Sequence, residues 1–276
     1  MAITAAAAAT AACSPSMPAN PAPELQDLNS RLAATPDSTW ARVRSRRVFF
    51  AHQSVGADII TGLMAWAARD PRLRLRIEHD STAAALARPG LVHTTYGTNG
   101  DPQGKLMALQ TLLAGGIGSV ADVVIAKFCF LDLGDAGSGA RLLPIYRQTM
   151  DTLHARYPHA TLVYTTAALT AGEPAWRSGL KALTGRPTAN ARNAERAVFN
   201  AGVRLSYGHS GQLFDLAARE AGVSEATARR TSGEAVEQLL RAYTTDGGHL
   251  TPAASQIMAG HLLLLLASLA NRPAPP

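Results

Sequence analysis

Strand-like runs alternate with segments of helical periodicity, and this alternation limits the fold more than any other feature of the chain. The runs are Val48–Ala51, Arg72–Asp80, Ala121–Leu133, Ala160–Leu169 and Gly211–Ala217. Helical spacing fills the gaps. Leu25–Val43 is helical in pattern and interrupted at Pro36, and Asp58–Arg69 sets Ile59, Ile60, Leu63 and Trp66 on one face. Leu106–Leu113, Leu142–Tyr157 and Asn190–Tyr207 follow, then helical sequence to about Tyr243 and a last apolar helix around "HLLLLLASLA". Arg88–Lys105, rich in Gly, Pro and Asn, reads as a loop. Apolar central strands alternating with helices specify parallel βαβ units covered on both faces. The expected architecture is a three-layer α/β/α sandwich with a parallel sheet of about five strands. In such a sheet ligands bind beyond the carboxyl ends of the strands. The Ser54 corner, the Tyr96–Lys105 loop and the Cys129–Asp132 region therefore fall on one rim.

The chain has 276 residues, 47% of them hydrophobic and 17% charged, enough for one sizeable core. Residues 1–23 read as an Ala-rich leader and a Pro-rich tether, and residues 24–272 as a single domain. Cys13, between small residues and a Pro/Ser/Asn-rich stretch, resembles a lipoprotein processing site. Export is the expected reading, as a periplasmic, secreted or Cys13 lipid-anchored protein; a cytoplasmic protein with an Ala-rich tail is the alternative. Cys129 lies in an apolar run and reads as a small buried hydrophobe. The net charge of +6 comes from scattered basic residues, with Arg42–Arg47 the one dense cluster, and aromatics are only 5%. That distribution argues against a nucleic-acid partner. The apolar run His261–Ala270 is too short to span a membrane and reads as a buried helix.

Two short motifs carry candidate chemistry. "VFFAHQSVG" places Ser54 where a strand runs into a helix, with His52 two residues before it. A serine there either caps the helix or acts as a nucleophile, since first-turn N–H groups favour a developing negative charge. "TTDGGHLTPAAS" sets Asp246 three residues before His249, just ahead of the last helix. That spacing lets a carboxylate hold an imidazole by Nδ1 while Nε2 faces a hydroxyl. A capping Asp beside a surface His is the alternative. A metal site is the competing use of His52, Asp246 and His249, but no metal-binding spacing is present, so neither metal nor cofactor is expected.

With Ser54 after the first strand and Asp246-x-x-His249 before the last helix, the chain resembles the SGNH/GDSL hydrolase family over roughly Arg47–Ala270. "DGGHLTPAA" carries most of the resemblance, and "FFAHQSVG" looks like a divergent branch with His-x-Ser-x-Gly in place of Gly-Asp-Ser. The resemblance implies an SGNH-hydrolase, flavodoxin-like fold and a serine esterase, with Ser54 as nucleophile, His249 as general base and Asp246 as its orienter. It implies oxyanion donors in the loops after the second and third strands. Gly97, Asn99 and Gly100 match the first of these loops. "KFCFLDL" has no Asn for the second, which leaves His52 or Asn99 to make up the missing donor. Lys127 and Asp132 either line the cleft or form a structural ion pair. The implied substrate is an ester, with an acyl group on a carbohydrate as one form; the alternative is a non-catalytic carbohydrate-binding or envelope-associated module on the same fold. The Gly-x-Ser-x-Gly of α/β-hydrolases is a poorer match, because Ser54 comes too early and Asp246 too near His249.

Overall fold

The computed structural model of the chain describes residues 20–223 and 236–272. The leader with Cys13 and part of the helical sequence expected before Tyr243 lie outside these residues. In chain order the main elements are α1 (Ala22–Ala34), α2 (Asp37–Arg44), β1 (Arg47–His52), α3 (Ser54–Arg69), β2 (Ile77–His79), β3 (Gly90–Thr95) and α4 (Pro102–Leu112). They continue with β4 (Val123–Ala126), α5 (Ser138–Arg156), β5 (Thr161–Thr165), α6 (Ala175–Leu183), α7 (Ala189–Tyr207), β6 (Leu213–Phe214), α8 (Leu216–Glu220) and α9 (Pro252–Ala270).

All six strands are parallel, in the order β2-β3-β1-β4-β5-β6. Alternation along β1 decides the layers. Val48 and Phe50 pack into one apolar cluster with α1, α2, α3 and α9, while Phe49 and Ala51 enter another with α4, α5 and α7. β4 repeats the division, with Val123 and Ile125 on the first side and Val124 on the second. A strand buried on both faces needs this uninterrupted apolar sequence, and burying each such side chain contributes about 1.5–3 kcal/mol. The result is the expected α/β/α sandwich.

Several elements differ from the sequence reading. β3 lies inside the stretch read as a loop. It pairs with β1 from Arg47↔Gly90 to His52↔Thr95, so a strand next to the sheet centre went unseen. Only Ile77–His79 of the expected second strand pairs, because Pro71–Leu73 forms a 3₁₀ turn first. β4 stops at Ala126, and the remainder of the apolar run becomes the loop that faces the site. The last helix also extends further than its leucine run. α9 is 19 residues long, apolar enough by length and composition to cross a membrane, but 72% of its most apolar window is buried in the fold. It packs against α3, where the Trp66 indole N–H donates to Gln256 O at 2.7 Å. This contact holds the C-terminal part of α3 against the first half of α9.

Candidate active site

β1 ends at His52, Gln53 is extended (φ −127°, ψ −160°), and Ser54 is the first residue of α3. The N-cap position belongs to Gln53, and no side chain caps the helix. The Ser54 hydroxyl is therefore not spent on capping. It donates to His249 Nε2 at 2.9 Å. His249 Nδ1–H donates to Asp246 Oδ2 at 2.6 Å. A carboxylate can only accept, so it selects the tautomer that leaves Nε2 free to accept from the hydroxyl.

The turn Thr244–Leu250 is built around Asp246. Its Oδ1 accepts from the Gly248 and His249 amides at 2.9 and 2.8 Å. These two amides and the imidazole hold the Asp246 carboxyl well below the ordinary carboxylate range, with the Gly248 amide the largest cause. The Phe130 ring stands edge-on to the His249 ring, 5.8 Å between centroids. A Cβ on Gly248 would come within 2.7 Å of that Phe130 ring, so a larger residue there would have to displace the ring. Leu250 N donates to Asp58 Oδ2 at 3.1 Å, which ties the residue after His249 to the second turn of α3. Asp58 thus fixes the imidazole relative to Ser54. Nothing in the sequence pointed to it beyond its place one turn after the serine.

The loop after β3 is held against the same corner from two sides. Gln53 Nε2 donates to Tyr96 O at 2.7 Å and Gly97 O at 3.2 Å. On the other side, buried Lys105 donates through Nζ to Asn99 Oδ1 at 2.8 Å and to both Asp132 oxygens at 2.9 and 2.7 Å. Asp132 also accepts from Gly100 N at 2.8 Å and Cys129 N at 2.7 Å. This buried cluster joins the two loops beyond β3 and β4. With its oxygen accepting from Lys105, the exposed Asn99 side chain is held through Oδ1.

The expected site residues separate accordingly. Ser54, His249 and Asp246 come together, Gly97 is tied through its carbonyl to Gln53, the residue before the serine, and Asn99 is tied to Lys105. His52 does not face the cleft, contrary to expectation. It is 1% exposed; its Nδ1 lies 2.7 Å from Gln53 O and its Nε2 3.0 Å from His93 Nδ1. Alternation of side-chain direction ends where the helix begins, so His52 and Ser54 do not share a face. A Cβ on Gly56 would lie 2.2 Å from His52 Cβ, which shows how closely α3 covers this imidazole. Burial lowers the His52 pKa to about 4. Gly100 is also corrected as an oxyanion donor, because its N–H is spent on Asp132. So is the ion pair read for Lys127: Asp132 pairs with Lys105 instead, both side chains fully buried. Lys127 Nζ is buried and makes no hydrogen bond among the described residues. No group of three His, Cys, Asp or Glu side chains suited to a metal ion occurs among the described residues.

No family model matches this chain, and no curated protein matches it. Among solved structures it is similar to a Streptococcus pneumonia protein described as a platelet activating factor, at 16% identity and TM-score 0.49, over 89% of this chain and 99% of the other. It is also similar to the periplasmic domain of a lipopolysaccharide acetyltransferase from Salmonella ser. Paratyphi A, at 10% identity and TM-score 0.45, over 78% and 81%. At these values the functional reading rests on the geometry of the site alone.

Proposed function

We propose that this chain is a serine hydrolase that cleaves an ester through an acyl-enzyme. The observation that carries this is the continuous relay from Ser54 Oγ to His249 Nε2 at 2.9 Å and from His249 Nδ1 to Asp246 Oδ2 at 2.6 Å. Ser54 Oγ attacks the ester carbonyl while His249 Nε2 takes its proton. Asp246, held ionised by its amide donors, stabilises the imidazolium that forms. Negative charge then develops on the carbonyl oxygen. The Ser54 N–H, in the first turn of α3 where amides lack an intrahelical acceptor, is one donor to it. The Gly97 N–H and the Asn99 side-chain amide are the others. His249 next gives its proton to the leaving alcohol, and the Ser54 ester remains. Water repeats the sequence, with His249 again as base, and releases the acid.

Residues 24–272 form the hydrolase domain in this reading, and residues 1–23 the export leader and tether. N-terminal sequencing and mass of the mature chain test the latter. Hydrolysis of 4-nitrophenyl acetate tests the chemistry. Native protein turns the ester over in the presence of EDTA, and Ser54→Ala and His249→Ala each lose activity by about 10³-fold or more while keeping their melting temperatures. Undiminished turnover in Ser54→Ala would end the reading. Absent turnover in a folded native protein would favour a non-catalytic binding module.

A further inference from the structure

Beside the Asp246 end of the relay lies a cleft of about 440 Å³. Its walls come from the loop after β4, from residues 170–177, from α7 and from Arg241–Gly247. The volume falls within the ~300–1,000 Å³ usual for small-molecule sites, and it is far more than a short acyl group fills. Five cationic side chains line it: Arg177, Lys181, Arg192, Arg196 and Arg241. Its two carboxylates are already occupied, Glu173 with Lys181 and Asp246 with His249. The four arginines have no carboxylate partner among the described residues.

Arg196 is the most telling of the four. It is 1% exposed and is held by neutral groups: Phe130 O, the Thr170 hydroxyl and the Asn193 carbonyl oxygen. A guanidinium buried without a counter-ion is costly, and Arg192 adds a second positive charge nearby. Burial lowers the pKa of Arg196 to about 10. Glu220, the buried carboxyl that acts on it, is itself pushed up by burial, which weakens it as a counter-ion. At the rim Trp176 is 67% exposed, with the Arg177 guanidinium 5.3 Å from its ring centre. A flat exposed ring beside cations suits a sugar, whose C–H face stacks on the ring while its charged substituent meets the guanidinium forks.

We infer that this cleft binds the anionic part of the ester, a carboxylate or phosphate carried on an acylated sugar. This rests on the ester-hydrolase reading above, and it extends that reading to a class of substrate. The anion sits against Arg192 and the Arg196 floor, Arg177 and Trp176 cover the ring, and Arg241 closes the side toward Asp246.

The test compares three acetylated sugars that differ in one substituent: glucose, glucuronate and glucose 6-phosphate. Acetate release gives kcat/KM for each. We expect one or both acidic sugars to exceed the neutral one by about tenfold or more at low salt, with the ratio shrinking as ionic strength rises. Which acidic sugar gains identifies the anion. In Arg177→Gln/Arg192→Gln the ratio falls toward one; Arg241→Gln, at an exposed position, gives the same readout if the double variant does not fold. Equal rates on all three sugars, or a ratio unchanged in a folded variant, would overturn the inference. Calorimetric binding of the same sugars to Ser54→Ala separates the two levels of the argument. Preferential binding of an acidic sugar, weakened by the arginine substitutions, upholds the cleft even if no ester is turned over. No preference in binding overturns it even if 4-nitrophenyl acetate is cleaved.

Discussion

Removing the Asp132 carboxylate tests how the site is held together. Asp132 and Lys105 are both fully buried in side chain, and the carboxylate accepts from Lys105 Nζ, Gly100 N and Cys129 N. Asp132→Ala strands the ammonium, leaving it only Asn99 Oδ1 at 2.8 Å, and leaves two amides without an acceptor. Breaking a buried pair by deleting one partner costs about 3–5 kcal/mol. Against a typical stability of about 5–15 kcal/mol, this is a large share. Urea unfolding measures it as a fall in midpoint at unchanged slope. Adding Lys105→Met to Asp132→Ala removes the stranded charge, so the double variant is more stable than Asp132→Ala alone. Function should follow. The Gly97–Gly100 loop loses its anchor, and loss of one oxyanion donor costs about 2.7–4 kcal/mol, or roughly 10²–10³ in kcat. A destabilisation below about 1 kcal/mol, or a double variant weaker than Asp132→Ala, would refute this account of the buried cluster.

Three further outcomes are expected. Asp58→Ala removes the acceptor for Leu250 N and lets His249 drift, lowering kcat by up to about 10² with KM little changed, and Asp58→Asn restores most of the rate. His52→Ala lowers the melting temperature, by roughly 4–8 °C for a loss of about 2 kcal/mol, and leaves kcat of the folded protein near native, as measured on one preparation. Because the His52 pKa falls from about 6.5 unfolded to about 4 folded, the unfolded chain binds the extra proton between those values. Stability therefore drops as pH falls from 6.5 to 4, by up to about 1.4 kcal/mol per pH unit, and His52→Gln flattens that part of the pH–stability curve.

The parts of the site that were legible in the sequence depend on local pattern. Ser54 stood at a visible change from strand to helix period. Asp246 and His249 sat at relay spacing in a Gly-rich turn. The hidden parts depend on contacts far apart in sequence. β3 looked like a loop because Pro89 and Gly90 open it and His93, Thr94 and Thr95 make its end polar, yet pairing with β1 carries it. His52 stands two residues before Ser54, but α3 begins at Ser54, so strand alternation does not carry across the junction and the imidazole turns into the core. Lys105 has no local mark of burial; only its meeting with Asp132, 27 residues on, makes the charge tolerable. Asp58 likewise becomes informative only when α9 packs on α3 and brings Leu250 beside it. The cleft gathers its arginines from three segments, so a scatter of positive charge in sequence becomes a concentration in space.

The most direct measurement of the central claim is covalent labelling of the native protein with a fluorophosphonate, followed by peptide mapping. A serine activated by His249 attacks phosphorus and forms one stable adduct. The account predicts a single modified peptide containing Ser54, no adduct in Ser54→Ala, and labelling slowed by orders of magnitude in His249→Ala. Folded native protein that leaves Ser54 unmodified, or that labels it equally fast without His249, would contradict it.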